Sequence, residues 1–473
     1  MAFTAVTSDI TGLQNALKIV YDKKAIRNLL GINSPLMRMI GKDRVQGKAW
    51  NWPVLYSQSP AVAADFTIAQ GEITTMAAYE VSVTPGMLWA PFNTTAAEIL
   101  AGASTVGAYP PTPPALVTRH FAATEGFRKT LASCLYGSGW LEIGVTLAQV
   151  SLAAVTFEVL DNTRAVLAIG SQIYFTDNST GLPSDPILAT GGPHTVTAMS
   201  PSTTAGRTVV TFTPAISGNA PASGAFVELA GGRNAGIGSY ALAPIGLGAW
   251  VPSFGGRTTA AWTSYIGTSF FGLTRSTNVN RLAGSFYKAQ QSSEKRVDGL
   301  LEGLRLVRDQ GGEANLIVAN SYVIRKIMGE LTGSLSYFQG TNMGNPGAAD
   351  EATRGFRSVK VNFLDTGADL VADPFCPVDN AYVLEKEVLS IKSYTNIDTP
   401  LKEPGVEDAN AGVQGVEDTD VPPQDFRFLT NDYLSIIPGT SGAYGPVMQV
   451  ILQFIGNFIV DNPSHTCVIS TMT

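Results

Sequence analysis

The chain has 473 residues, 45% of them hydrophobic and only 15% charged, with a formal net charge of -7. That length exceeds one typical core, so two or three domains, or one domain with large insertions, are expected. The acidic balance argues against a nucleic-acid binder, whose phosphate affinity comes from clustered Lys and Arg. The low charged fraction, against roughly 25% in ordinary globular chains, implies a surface largely covered by something. The three cysteines, Cys134, Cys376 and Cys467, have no CxxC spacing. They read as buried thiols in a reduced compartment, not as a metal knuckle or a disulfide scaffold.

The first residues, MAFTAVTSDITGLQNALK, lack a basic patch followed by an apolar core, so no secretory signal is expected. Thr11 to Gly31 reads as a helix and Ser34 to Ile40 as a short second turn. KAWNWPVLY and AYEVSVTPGMLWAPF are two extended segments, separated by SQSPAVAADFTIAQGEITTM. They form a predicted long hairpin. Pro53 and Pro85 place it at an edge or project it from the body, because proline removes ladder hydrogen bonds. Its apolar residues, Trp50, Trp52, Val54 and Leu55 among them, imply packing against another surface, with a neighbouring subunit the natural candidate.

Pro113 to Gly139 carries a long amphipathic helix pattern. Leu116, His120, Phe127, Leu131, Cys134 and Leu135 share one face, while Arg119, Glu125, Arg128 and Lys129 lie between them. Pro113 and Pro114 open it, and Gly137 and Gly139 follow its last apolar residue, where a left-handed cap is expected. By itself it reads equally as a strut or as an ordinary core helix. Leu141 to Asn234 is rich in Thr, Ser, Gly and Ala and holds nine charged residues. TFEVL, AVLAIGSQIYFT, HTVTAM, RTVVTFT and AFVELAG alternate as strands, giving a small inserted β-barrel or sandwich, or strands continuous with the next domain.

Arg281 to Tyr394 reads as an α/β module. Val297, Leu300, Leu301, Leu304 and Val307 trace a helical face, Gly311 and Gly312 stop it, and NLIVA follows as a buried strand. Asn320 or Ser321 then caps a second helix with Val323, Ile324, Ile327, Met328 and Leu331. Asn396 to Asp425 holds eight acidic residues and one basic residue, Lys402. The spacing of a calcium loop is missing, so a solvated or partner-covered loop is expected. Val447 to Val460 is apolar, but its 14 residues fall short of the roughly 20 of a bilayer span. It reads as a long buried strand interrupted by Gln449, Gln453 and Asn457.

No chemistry stands out. His120, His194 and His465 are too scattered for a zinc triad, and there is no HExxH, GxSxG or Walker sequence. GIGSYA, Gly236 to Ala241, is followed by LAPIGLG and not by a helix, so it reads as a flexible junction. No catalytic, cofactor-binding or metal-ligating residue is assigned, and an enzyme is not expected.

The order of these segments resembles the major capsid proteins of tailed bacteriophages with the Hong Kong 97 fold. The segments that carry the resemblance are the hairpin, RKTLASCLYGSG, NRLAGSFYKA, RDQGGEANLIVANSYVIRKIM, RGFRSVKV and DPFCPVDNAYVLEKEVLSI. The resemblance implies an α+β fold. Residues 1–46 would be the N-terminal arm, 47–95 the E-loop hairpin, and 96–140 the spine helix and the start of the peripheral domain. Residues 141–234 would be an inserted all-β domain, 235–395 the axial domain and the return to the peripheral domain, 396–425 an acidic loop, and 426–473 the C-terminal strands of the peripheral domain. It also implies a non-enzymatic virion protein, assembled in the host bacterial cytoplasm. Its copies would form homo-hexamers and homo-pentamers in an icosahedral shell around double-stranded DNA bound without sequence specificity. Portal, scaffolding and decoration proteins are the further partners implied, with no cofactor and no membrane. An encapsulin-type nanocompartment shares the fold. A β-rich hydrolase or carbohydrate-binding protein is the reading from another class.

Under this reading a proline at Leu131, inside the long helix, should cost about 3 kcal/mol or more locally and abolish shell assembly. Normal particles from Leu131→Pro, imaged by electron microscopy, would sink the assignment of that helix as a spine.

Overall fold

The computed structural model describes residues 34–45, 47–55, 63–71, 78–95, 115–160, 166–176, 187–188, 192–204, 206–232, 242–253, 259–267, 269–288, 295–331, 359–363, 366–394, 427–430, 435–438 and 444–470. The expected helix over Thr11 to Gly31, Pro113, Pro114, the GIGSYA segment and the acidic loop Asn396 to Asp425 lie outside them. The described residues within 90–127 and 428–452 belong to one unit, and those within 34–89, 128–427 and 453–470 to another.

In chain order the first elements are helix α1 (Pro35–Met39), strands β1 (Gly41–Arg44) and β2 (Trp50–Leu55), helix α2 (Phe66–Gly71), and strands β3 (Ala78–Val83) and β4 (Gly86–Thr95). Helix α3 (Ala115–Cys134) leads into six short strands: β5 (Glu142–Val145), β6 (Thr156–Leu160), β7 (Gln172–Phe175), β8 (His194–Pro201), β9 (Arg207–Thr213) and β10 (Phe226–Leu229). Four short elements follow: α4 (Leu247–Trp250), α5 (Thr259–Gly267), β11 (Ser269–Phe270) and β12 (Leu273–Thr274). The α/β part comprises α6 (Val279–Leu282), β13 (Ser285–Lys288), α7 (Arg296–Asp309), β14 (Leu316–Ala319), α8 (Ser321–Leu331), β15 (Val359–Phe363), β16 (Thr366–Ala372), β17 (Asn380–Leu384) and β18 (Leu389–Ser393). The last strands are β19 (Arg427–Thr430), β20 (Ser435–Pro438), β21 (Tyr444–Val460) and β22 (Thr466–Ser470).

In the smaller unit, β20 and β21 form an antiparallel pair with Ser435 opposite Val447 and Pro438 opposite Tyr444.

The larger unit holds three sheets of interest. One is the mixed sheet β13-β22-β17-β14-β16-β15, whose inner strands β14, β17 and β22 are buried on both faces and read as continuous apolar runs. Helix α7 lies over it with Leu300, Leu304 and Val307 inward, and α8 adds Val323, Ile324 and Ile327 to the same core. Both expected helix boundaries hold. Gly311 takes the left-handed conformation, φ +89, and Asn320 caps α8 by accepting the Tyr322 N–H at 3.0 Å. The second sheet joins β1 to β18 in parallel, and β18 to β21 antiparallel from Leu389–Val460 to Ser393–Gly456.

The third sheet runs β5-β10-β7-β8-β9-β6. Its edges approach each other, for the Leu147 N–H just beyond β5 donates to the Glu158 carbonyl of β6 at 3.2 Å. Ile143, Phe157, Ile173, Phe175, Val196, Val210, Phe212 and Val227 fill one interior. The period-2 alternation read in TFEVL, RTVVTFT and AFVELAG therefore faces a closed core, and a barrel describes it better than a sandwich. Strand β5 is an addition to the strands expected.

The end of α3 anchors this unit. Phe127, Leu131, Cys134 and Leu135 are buried, as the helical spacing predicts, and Gly139 has φ +94. Gly137 does not share that conformation. Instead the turn 135–139 lies backbone to backbone against 243–247. The Leu247 N–H donates to the Leu135 carbonyl at 2.7 Å, Gly246 to Gly137 at 3.0 Å and Ala243 to Gly139 at 3.2 Å. A Cβ on Gly246 would collide with the carbonyls of Cys134 and Leu135, and one on Gly248 with that of Tyr136. Residues 242–248 thus form a packed joint directly after the segment read as a flexible junction.

Within the expected arm, Leu36 and Met37 are buried and β1 adds in parallel to β18. The hairpin is β2 with β3 alone, from Trp50–Val83 to Leu55–Ala78, while β4 takes β21 as its partner across the Thr84–Pro85 break. The last strand β22 lies between β13 and β17 in the α/β sheet, so residues 466–470 share that sheet with segments from 285–288 and 380–384.

Helix α7 approaches the sheet through Gly303, where a Cβ would stand 2.8 Å from Ile469 Cδ1 and 3.0 Å from Val383 Cγ2. Gly303→Val should therefore lower stability by about 1–3 kcal/mol through overpacking. A thermal melt with an unchanged midpoint would contradict that packing.

Candidate assembly surface

The hairpin is tied down at its base and bare at its tip. Val81 and Val83 are buried, Trp50 is buried with its ring edge-on to Tyr394 at 6.0 Å, and the Ser82 N–H donates to the Phe271 carbonyl at 2.9 Å. The Tyr394 hydroxyl donates to the Gly47 carbonyl, and the Lys392 ammonium lies 4.9 Å above the Trp52 ring. Trp50 is thus buried within its own chain, while Trp52 is half-buried. Between the strands, α2 is started by Asp65, whose carboxylate accepts the Thr67 N–H at 2.7 Å and the Ile68 N–H at 3.3 Å. It displays Phe66 at 79% exposure and Ile68 at 59%. A second bare patch lies on β4, where Met87 at 47% and Trp89 at 49% flank the buried Leu88. Leu242, 43% exposed, adjoins it through the Met87 N–H bond to its carbonyl at 2.8 Å. Large apolar side chains at such exposure mark contact surfaces when they cluster.

The residues weighed for chemistry are placed apart. His194 is buried on the barrel interior between Phe175 and Phe212, its Nδ1 2.8 Å from the Pro214 carbonyl oxygen. The His465 Nδ1 lies 2.9 Å from the Glu385 carboxylate at the edge of the α/β sheet. His120 sits on α3, with its side chain outside the described residues. Cys134, Cys376 and Cys467 are free and buried, and burial pushes all three thiols far above their ordinary range. Among the described residues no three of His, Cys, Asp and Glu converge as metal ligands. A cavity beside Cys134, Glu142 and Leu141 has about 10 Å³, room for one water at most.

Three buried polar groups escaped the sequence reading. Asp373 accepts hydrogen bonds from the Ser34 hydroxyl, from the Leu36 N–H at 3.4 Å and from the Phe375 N–H at 2.9 Å, and so ties residue 34 to the end of β16. Burial raises its pKa, and the hydrogen bonds to its charged form only partly offset this. Arg275 is buried with its guanidinium 4.3 Å above Phe270 and 5.2 Å from the Tyr265 ring, and it donates to the Ala249 carbonyl at 2.5 Å. Asn457 accepts the Ile245 N–H at 2.6 Å and donates to the Thr84 carbonyl at 3.1 Å. Of the three only Asn457 had a local signal, as a polar residue inside an apolar run.

No protein-family model matches the sequence, and no curated protein is similar to it. Solved structures are similar in fold over nearly the whole length. The capsid asymmetric unit of cyanophage A-1(L) aligns at 12% identity over 98% of this chain and 99% of that one, with a TM-score of 0.49. A structure from Mycobacterium phage Adephagia aligns at 8% identity over 97% and 96%, TM-score 0.41. The SrpI encapsulin complex of Synechococcus elongatus PCC 7942 aligns at 9% identity over 100% and 96%, TM-score 0.39.

The thiol burial gives a direct test. Cys134, Cys376 and Cys467 should all resist Ellman's reagent in the native protein and all react once it is denatured. One or more fast-reacting thiols in the native state would place a cysteine at the surface.

Proposed function

We propose that the chain is the major capsid protein of a tailed double-stranded DNA bacteriophage, built on the Hong Kong 97 fold and assembling as hexamers and pentamers into an icosahedral shell. In this reading the β2–β3 hairpin is the E-loop, α3 the spine helix and the α/β module the axial domain, while the β5–β10 barrel is an inserted domain. The role is structural, not enzymatic. Assembly would take place in the host cytoplasm, with portal, scaffolding and decoration proteins as partners and the packaged DNA held without sequence readout.

One observation carries the reading. The two-stranded arm is fixed at its base by Trp50, Ser82 and Tyr394 and carries Phe66 and Ile68 bare at its far end. An isolated ribbon of two strands is marginal in water, and an exposed edge invites pairing with other chains. A second copy lying under the tip removes both problems. A chain that meets its neighbours through unlike surfaces forms rings where the rotation between copies closes and open filaments where it does not. The low charged fraction fits the same arrangement, because the cores of subunit interfaces are depleted in charge.

The test is expression of the full chain and imaging by electron microscopy, with wild type and Phe66→Ser/Ile68→Ser compared. Surface substitutions of this kind change stability by about 0.5 kcal/mol or less, so the melting temperature should stay put while closed shells disappear. A wild-type chain that stays monomeric under assembling conditions would refute the reading, as would shells of normal yield from the double variant. Particles from infected cells that hold enzyme cargo and no DNA would transfer it to a nanocompartment.

A further inference from the structure

We propose that Asn457 is the positioning residue that sets the direction in which the hairpin leaves the body, and through it the angle at which copies of the chain meet. The second half of this rests on the capsid reading; the first does not.

Asn457 is buried in the middle of the apolar strand β21, and its amide joins three separate segments. Its Oδ1 accepts the Ile245 N–H at 2.6 Å and the Phe458 N–H at 3.1 Å, while its Nδ2 donates to the Thr84 carbonyl at 3.1 Å. Thr84 and Pro85 are the two residues between β3 and β4. The bond to Thr84 therefore grips the chain where the hairpin ends. Only an amide supplies both an acceptor and a donor in this geometry: aspartate lacks the donor, and leucine lacks both.

Neighbouring contacts converge on the same point. A Cβ on Gly86 would stand 2.6 Å from Pro244 N and 2.7 Å from Ala243 O, so the backbone there is pressed against 243–244. On either side, the Ser82 N–H holds Phe271 O at 2.9 Å and the Met87 N–H holds Leu242 O at 2.8 Å. The segment 82–87 is thus held by 242–244, by 271 and by Asn457, which also bonds Ile245. A six-residue strand is about 20 Å long, so a tilt of about 10° at this joint displaces the far end by about 3 Å. That shift equals a hydrogen-bond length, enough to misplace the Phe66 contact.

Asn457→Asp keeps the acceptor for Ile245 and Phe458 and removes the donor to Thr84. Gly86→Ala disturbs the same joint at its contact with 243–244 and leaves Asn457 intact, so it carries the test if the aspartate variant does not fold. In unassembled subunits, hydrogen exchange over 82–88 should quicken ~10-fold in either variant while 316–319 in the α/β sheet stays at the wild-type rate. Assembled particles should show a broadened distribution of diameters. Wild-type exchange over 82–88 in a folded variant overturns the positioning role, and so does equal quickening throughout the unit. Faster local exchange with particles of wild-type diameter overturns the link to assembly. Wild-type chains that form no particles refute the capsid reading, and the exchange measurement still decides the joint.

Discussion

The larger unit depends on a backbone-to-backbone contact in which side chains have no place. The segment 243–247 donates its N–H groups directly to the carbonyls of the turn after α3, residues 135–139, and glycine is required where they touch. That turn itself takes up the last helix carbonyls, of Leu131, Ser133 and Cys134, so the joint continues the hydrogen bonding of the helix end. It also makes the helix end a fixed origin. From it the chain leaves into the barrel, returns from it, and meets the base of the hairpin at Gly86. A carboxylate completes the arrangement: Glu142 accepts the N–H groups of Ser138 and Trp140, bracing the turn from within. Burial pushes its pKa upward, and the hydrogen bonds from Ser138 and Trp140 work in the opposite direction.

Elements whose signal is local were legible in the sequence. The barrel strands, the α7 and α8 faces, the Asn320 cap and the long β21 strand follow from periodicity and from turn chemistry within about ten residues. What was not legible is pairing at long range. Nothing in TCVIS says that it will enter between SFYK and NAYVL, because a short strand buried along its whole length suits any inner position of a sheet. The Ser34–Asp373 bond spans most of the chain and has no pattern at either end. The hairpin shows both cases. Its two strands were evident, but its partners, Tyr394, Lys392 and Phe271, come from distant segments and rewrote which tryptophans needed outside cover.

The candidate surface was half legible. The sequence pointed to a projecting ribbon whose apolar residues, Trp50, Trp52, Val54 and Leu55 among them, needed cover. Folding buries Trp50, and it leaves Phe66 and Ile68 bare on a helical turn that the small-residue stretch SPAVAADFTIAQ did not suggest. Asn457 stood in plain view as a polar interruption of an apolar strand. Its meaning required the position of Thr84, which no local pattern supplies.

The barrel's two chain ends meet. The Leu229 N–H donates to the Leu141 carbonyl at 3.0 Å, and Gly232 presses against Trp140 closely enough that a Cβ would not fit. The host structure therefore sees the roughly ninety residues between them as a short closed loop, and the entropy of closing it falls on the barrel's own folding. Gly206, in the β8–β9 turn, rests on the Tyr322 ring of α8 as a second foothold. Leu160 on β6 packs against the α/β core as a further contact. A substitution inside the barrel is therefore felt by the rest of the larger unit only through these few contacts and the joined ends, while the joint at 135–139 and 243–247 stays locked by its glycines.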